Sequence, residues 1–69
     1  MRFTVELDRE VDDRWIAEIP ALPGVVAYGE TEAQALATVK ALALRVIADR
    51  LEHGEAPADL QDVSFNAAA

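Results

Sequence analysis

Two stretches near the N-terminus alternate between apolar and polar residues with a period of two. Residues 2–8 place phenylalanine, valine and leucine at every second position, which is typical of a strand with one buried face. Residues 15–19 repeat the pattern after the polar segment 9–14, where Asp12 and Asp13 supply side chains that bond to backbone amides in turns. The pattern predicts a β-hairpin.

The second predicted strand ends at a segment rich in proline and glycine. Residues 20–24 read Pro-Ala-Leu-Pro-Gly. The prolines fix φ and lack an amide donor, while glycine accepts a positive φ, so this composition predicts a rigid corner. Residues 25–28 form a short apolar run beginning with two valines, which predicts a third strand closed by Gly29.

The strongest local signal is a helix start. Thr31 and Gln34 fit a capping box, in which the Thr31 hydroxyl accepts the Gln34 amide and the Gln34 side chain returns to the Thr31 amide. Residues 32–53 contain neither proline nor glycine, and Gly54 suits the position after a helix. We therefore expect a helix over 32–53. One stripe of this helix is expected to face the core: Ala35, Leu36, Val39, Leu42, Ala43, Val46 and Ile47.

A fourth, short strand is predicted near the C-terminus, because Val63 and Phe65 alternate with polar residues within 60–66. Residues 1–66 then form a single domain, and residues 67–69 are expected to be a disordered tail. The element order is β-β-β-α-β, and a right-handed crossover through the helix places the fourth strand parallel to the first. We predict an α+β fold with a four-stranded mixed sheet and one long helix packed on one face.

Charge narrows the classes of partner. Thirteen Asp and Glu residues against six Lys and Arg give a net charge of −7. Because nucleic-acid binding requires arrays of basic residues that displace counterions, we expect no direct binding of this chain to nucleic acid. An acidic surface fits a basic protein partner, and it also favours solubility. No apolar run approaches the roughly 20 residues of a membrane span or forms a signal-peptide core, so we expect a cytoplasmic protein.

Residues that could carry catalysis are sparse. The single histidine, His53, cannot build a zinc site alone, and the single serine, Ser64, has no nearby base. The glycines are dispersed at turns and the chain has no cysteine, so neither a phosphate-binding loop nor a thiolate metal site is expected. Carboxylates on the first two strands and at the hairpin tip are interpreted as solvated. No catalytic, cofactor or metal site is predicted.

Three motifs, in order along the chain, resemble the HicB-like antitoxin family. The first is the aromatic residue, short strand and Pro-x-Leu-Pro-Gly of residues 15–24. The second is Gly-Glu-Thr at 29–31 followed by Glu-Ala-Gln-Ala-Leu at 32–36, which is similar to the family's helix start. The third, residues 53–57, resembles its helix end, and together the resemblance spans roughly residues 2–66. The signature loop is carried by Pro20, Leu22, Pro23 and Gly24.

The resemblance implies a partial RNase H-like fold, in agreement with the element order predicted from the residues. It also implies that the chain neutralises a HicA-type toxin, a small, basic, dsRBD-like protein that cleaves mRNA with a histidine. Glu6, Asp8 and Glu18 are then the candidate toxin-facing acids. Many family members carry a C-terminal DNA-binding domain, and because this sequence stops at Ala69 we expect none here.

Two other functions stay open on sequence alone. One is an oligomeric interaction or ligand-binding module without a toxin partner. The other, suggested by the RNase H-like topology, is a metal-dependent nuclease. Its candidate acids are Asp8, Glu32, Asp49 and Asp62. Their positions at strand ends and late on the helix do not favour convergence on one site.

Self-association is also predicted. Leu44 and Leu51 extend the apolar arc of the helix beyond its core stripe, and Val26 and Tyr28 are expected on the sheet face opposite the core. Burying one leucine is worth roughly 1.5–3 kcal/mol, which is a large share of the stability of so small a domain. We expect a homodimer or a higher homo-oligomer, and pairing of the third strand's free edge is a second route to it.

Overall fold

The computed structural model describes residues 2–55 and 63–68. These residues form three strands, one long helix and a fourth strand, which confirms the predicted α+β class and element order. The elements are β1 (Arg2–Arg9), β2 (Trp15–Glu18), β3 (Val26–Gly29), α1 (Glu32–Glu52) and β4 (Ser64–Ala68).

The four strands form one mixed sheet in the order β3-β2-β1-β4. The β1–β2 and β2–β3 pairs are antiparallel, whereas β4 runs parallel to β1. A parallel pair requires a crossover connection, and α1 lies in it. The predicted parallel orientation of the fourth strand relative to the first is confirmed, and the two strands are direct neighbours. It leaves β3 and β4 as the two edges of the sheet.

The helix covers one face of this sheet, and the core lies between them. Helix α1 packs chiefly on β3, less on β2 and only slightly on β1. The alternating residues of the strands and the predicted helix stripe supply the core, while Leu36, Leu42 and Val46 are partly buried at its margin. The buried residues are Phe3, Val5, Leu7, Ala17, Ile19, Leu22, Val25, Ala27, Ala35, Val39, Ala43 and Ile47. The face opposite α1 is free of any covering element among the described residues.

The helix begins at the predicted capping residue. The Thr31 hydroxyl oxygen accepts a hydrogen bond from the Gln34 amide at 3.1 Å. The expected return bond to the Thr31 amide is wrong, because the Gln34 side-chain oxygen accepts instead from the Glu30 amide at 3.0 Å. Gln34 thereby closes the loop that joins β3 to α1 one residue further back than a capping box does.

The helix ends in the hydrogen-bond pattern that a glycine with positive φ permits. Gly54 has a φ of +70°. Its amide donates to the Leu51 carbonyl at 3.1 Å, and the Glu55 amide donates to the Arg50 carbonyl at 2.7 Å, which together form a Schellman motif. Since His53 caps the end, α1 stops one residue before the predicted boundary. No helix in the described part of the chain has both the length and the apolarity that a membrane span requires.

The last strand lies further along the chain than predicted. The expected tail is wrong for Ala67 and Ala68, which pair with Val5 and Glu6 of β1. Backbone hydrogen bonds do not depend on the side chain, and the eight residues of β1 offer partners for them, so two alanines extend the ladder. Residues 60–62 of the predicted strand, and Ala69, lie outside the described residues.

Candidate functional site

The proline-rich signature loop is a closed corner between β2 and β3. The Ile19 amide donates to the Val25 carbonyl at 3.1 Å across its base, and the Leu22 amide donates back to Ile19 at 2.9 Å. Gly24 takes a φ of +86°. Leu22 is only 3% exposed and belongs to the core, while both prolines face outward. The loop therefore anchors an apolar side chain under a rigid exposed rim.

The three candidate acids lie together on the sheet face that α1 does not cover. Glu6 of β1 and Glu18 of β2 are direct cross-strand partners, and both are exposed. Asp8 follows two residues along β1 on the same face. None of the three carboxylates forms an ion pair within residues 2–55 and 63–68. The outer sheet face thus carries a cluster of negative charge without local compensation.

An apolar strip borders this acidic cluster on its β3 side. Ile16 pairs with Tyr28, and Glu18 pairs with Val26, so all four side chains share the outer face. Ile16 and Val26 are half-buried, and Tyr28 is 49% exposed. The Arg14 guanidinium lies 4.9 Å from the centre of the Tyr28 ring. Acidic and apolar groups are therefore adjacent on one flat surface.

Replacing Glu18 with glutamine should stabilise the fold by about 0.5 kcal/mol, since like charges directly opposite each other on a sheet are unfavourable. Urea unfolding followed by circular dichroism measures the change. In about 1 M salt the gain should shrink, because exposed charges are screened. Glu30→Gln removes the same charge from the positive end of α1, where an acid is favourable, so it should not stabilise. Equal gains for both variants would mean that only net charge matters.

Asp12 and Asp13 at the hairpin tip differ from the acids of the sheet face because neighbouring arginines neutralise them. Arg9 pairs with Asp13 at 3.4 Å, and Arg14 pairs with Asp12 at 2.8 Å. Desolvation raises the pKa of Asp12, but hydrogen bonds from Arg14 outweigh it and hold that pKa below its ordinary value. The tip is a paired turn, with Asp13 at a φ of +67°, and not a free acidic surface.

A shallow groove runs between the edge strand β3 and the flank of α1. Its volume is about 480 Å³. The strand contributes Val26, Ala27 and Tyr28, and the helix contributes Ala37, Thr38, Ala41, Leu42 and Arg45. Sequence analysis did not identify the helical side of this groove. The sequence feature that marks the helical side is a set of small residues beside the core stripe. Hydrophobic periodicity alone assigns such residues to solvated surface.

The structure separates the residues predicted for self-association into two places. Val26 and Tyr28 line the groove. Leu44 and Leu51 are 50% and 54% exposed and are not among the groove residues. Spaced seven apart on α1, they share one helix face. A contact through the groove and a contact through these leucines are therefore distinct.

The acids considered for a nuclease lie in different parts of the fold and make separate local contacts. Glu32 lies in the first turn of α1, whereas Asp49 faces His53 near its end, with 3.5 Å between the carboxylate and Nδ1. Asp8 accepts from the amide of its neighbour Arg9 at 2.8 Å, and Asp62 lies outside the described residues. Within residues 2–55 and 63–68, no group of three His, Asp or Glu side chains could hold a metal ion.

Comparison with known proteins gives a sequence relative. The chain is 31% identical over 55 residues to the UPF0150 protein Ta0767 of Thermoplasma acidophilum, and the match covers 80% of each protein. No protein-family model matches the chain, and no solved structure matches it either. An identity of this size over four-fifths of both chains shows that the chain belongs to the UPF0150 family.

Proposed function

We propose that this chain is an antitoxin-type binding module that neutralises a small, basic, mRNA-cleaving toxin of the HicA type by protein–protein contact. Its family supports the proposal, because UPF0150 is a HicB-like family. The signature loop and helix start that resemble HicB-like antitoxins fold here into the corner and cap that define the domain. The outer sheet face is the proposed contact surface.

The observation that carries the proposal is the cross-strand pair of Glu6 and Glu18. Two carboxylates held opposite each other repel, and so they weaken the isolated domain. A basic side chain placed between them would remove that repulsion and gain two charge-assisted hydrogen bonds. Asp8 extends the same row by one position along β1. The row of carboxylates therefore destabilises the isolated domain, and it would stabilise a complex with a cationic surface.

The neighbouring apolar strip supplies the water-excluding core that a charged surface alone lacks. Interfaces need a core of aromatic and aliphatic side chains that excludes water, and tyrosine is enriched among the residues that dominate binding. Tyr28, Ile16 and Val26 provide such a core directly beside Glu18. The acids would then steer and orient the partner, while the apolar strip would hold it.

Neutralisation of this kind asks for no catalysis from the chain. A ribonuclease that holds RNA uses basic groups to bind phosphates. An acidic protein face that occupies the same groups excludes the RNA by competition. The net charge of −7 also raises the rate of encounter with a basic partner at low salt. Inhibition should therefore weaken as the salt concentration rises.

The test is whether the gene beside this chain's own encodes a small basic protein, and whether that protein binds the chain. We expect co-expression to restore growth and isothermal titration to show a complex. The double variant Glu6→Gln/Glu18→Gln should bind about tenfold or more weakly, which corresponds to about 1.4 kcal/mol. Circular dichroism should show that this variant is at least as stable as the wild type, so lost binding cannot be attributed to unfolding.

A charge-matched control separates the surface from net charge. The double variant Glu30→Gln/Glu52→Gln also removes two negative charges, but from exposed positions at the two ends of α1. It should bind within about a factor of two of the wild type, apart from a slightly slower association rate. If both double variants lose the same affinity, the outer face is not the contact surface. If the neighbouring gene encodes no toxic protein, or its product does not bind, the antitoxin function is wrong.

A further inference from the structure

The free edge of β3 exposes a defined set of backbone groups. In an antiparallel pair, opposite residues alternate between those that exchange hydrogen bonds and those that do not. The Ile19 amide bonds to the Val25 carbonyl, and the register of β2 and β3 continues from there. Ala27 and Gly29 therefore direct their backbone groups to β2, while Val25 bonds to Ile19 and Leu22 within the corner. Val26 and Tyr28 direct theirs to the open edge.

One two-fold pairing of this edge satisfies all of these groups. With Ala27 opposite its own copy, Val26 of one chain lies opposite Tyr28 of the other, and each exchanges both of its backbone hydrogen bonds. Moving the axis to Tyr28 would instead require the Glu30 amide, which already donates to the Gln34 side chain at 3.0 Å. Residues on the same side of the sheet stay together in this register. The edge thus specifies a partner strand of its own length and sequence.

The position of α1 suits a second copy as well. Helix α1 contacts β3 more extensively than β2, so it lies close to this edge of the sheet. The helix of a second copy paired through β3 would be its neighbour across the two-fold axis. On the helix side, the groove is lined by the small residues Ala37, Thr38 and Ala41, together with Leu42 and Arg45.

Charge does not oppose this contact, although the chain is strongly acidic. Among the residues that line the groove between β3 and α1, Arg45 is the single charged one. Two chains that each carry −7 would repel at most of their surfaces. The groove is a place where acids are absent from the lining. A second copy can approach here without bringing acidic side chains of the groove together.

We propose that two copies of this chain pair through β3 around a two-fold axis at Ala27, forming a continuous eight-stranded sheet with both α1 helices packed against each other over the groove. Because the axis is perpendicular to the sheet, both acidic outer faces lie on the side away from the helices. If the proposed function is correct, the dimer offers two toxin-binding faces in one plane. The pairing itself does not depend on that function.

The first experiment measures mass by sedimentation equilibrium. The wild type should have twice the 7.5 kDa of one chain. Ala41→Glu places like charges on the facing helices and should give a monomer with unchanged helix content, since glutamate is a good helix former. Ala33→Glu, at an exposed helix position outside the groove and on the same helix face as Leu44 and Leu51, should stay dimeric. A monomeric wild type, or a dimer that Ala41→Glu leaves intact, overturns the proposal.

The second experiment locates the axis. The chain has no cysteine, so a single introduced thiol reports on symmetry. Opposite residues of a pair that exchanges no hydrogen bonds have Cα atoms about 4.5 Å apart, which is within the range of a disulfide. Ala27→Cys should cross-link to a covalent dimer on mild oxidation, while Ala33→Cys should not. Cross-linking through residue 33 alone would place the contact on the Leu44 and Leu51 face and reject the β3 pairing.

The two proposals fail separately. The Glu6→Gln/Glu18→Gln variant should remain a dimer, because neither residue lines the groove. The Ala41→Glu monomer should still bind the basic partner, with half the number of sites per assembly. We expect the Glu6→Gln/Glu18→Gln variant to lose partner binding while it keeps its dimer. If the charge-matched control Glu30→Gln/Glu52→Gln loses partner binding equally, the outer face is rejected as the toxin contact and the pairing through β3 is unaffected. A monomeric wild type that still binds the partner would reject only the pairing through β3.

Discussion

Replacing Gly29 with alanine should be the most damaging single change in the β3–α1 connection. A Cβ at this position would lie 2.5 Å from the Ala35 amide nitrogen and 2.9 Å from the backbone carbon of Gln34. These are backbone atoms of the first helical turn, and they cannot move without separating α1 from β3. We expect a loss of about 3 kcal/mol, the upper part of the range for overpacking. A domain of this size has only about 3–10 kcal/mol of stability to lose.

The measurement is urea unfolding at one fixed protein concentration, because self-association makes stability depend on concentration. Gly24→Ala is the matched control. Gly24 has a φ of +86°, but a Cβ added there would meet no heavy atom within 4 Å, so the cost is only the strain of a left-handed alanine, about 1 kcal/mol. If Gly24→Ala costs more than Gly29→Ala, the close approach of strand and helix is not what requires a glycine at position 29.

Sequence reasoning identified Gly29 as the end of a strand but not this contact. Periodicity shows which residues face a core, and it correctly assigned the stripe from Ala35 to Ile47. It carries no information on how closely one backbone approaches another. The same limit explains the tail, since the pairing of Ala67 with Val5 uses backbone groups that every residue possesses. Elements were predictable, whereas the close backbone approach at Gly29 and the length of the β1–β4 ladder were not.

The candidate site was predictable to a similar depth. Alternation placed Glu6 and Glu18 on one outer face, and the structure confirms that placement. It could not show that they stand directly opposite, because register depends on the length and geometry of the hairpin turn. The turn is fixed by Asp13 at positive φ and by the bond from the Glu10 amide to the Arg14 carbonyl at 2.7 Å. A turn one residue longer would have separated the two charges.

Truncating Leu22 to alanine should cost about 2–4 kcal/mol, as expected for a buried leucine. Leu22 is 3% exposed, and its amide and carbonyl both bond within the corner, to Ile19 and Val25 respectively. Its removal would leave a cavity at the point where β2 turns into β3. Thermal unfolding and urea unfolding should both show the loss. A cost below about 1 kcal/mol would mean that the corner collapses onto the space and that Leu22 is not an anchor.

The two prolines of the same loop test whether the family signature serves folding or binding. Pro20 and Pro23 are exposed, and replacing either with alanine should cost only about 0.5–1 kcal/mol through the entropy of the unfolded chain. Both variants should bind the basic partner as the wild type does, since the proposed contact surface lies on the outer face of the sheet. If either proline variant keeps its stability but loses the partner, the exposed rim of the loop is itself a contact. The acidic face would then be at most half of the interface, and the signature would mark a binding site in addition to a corner.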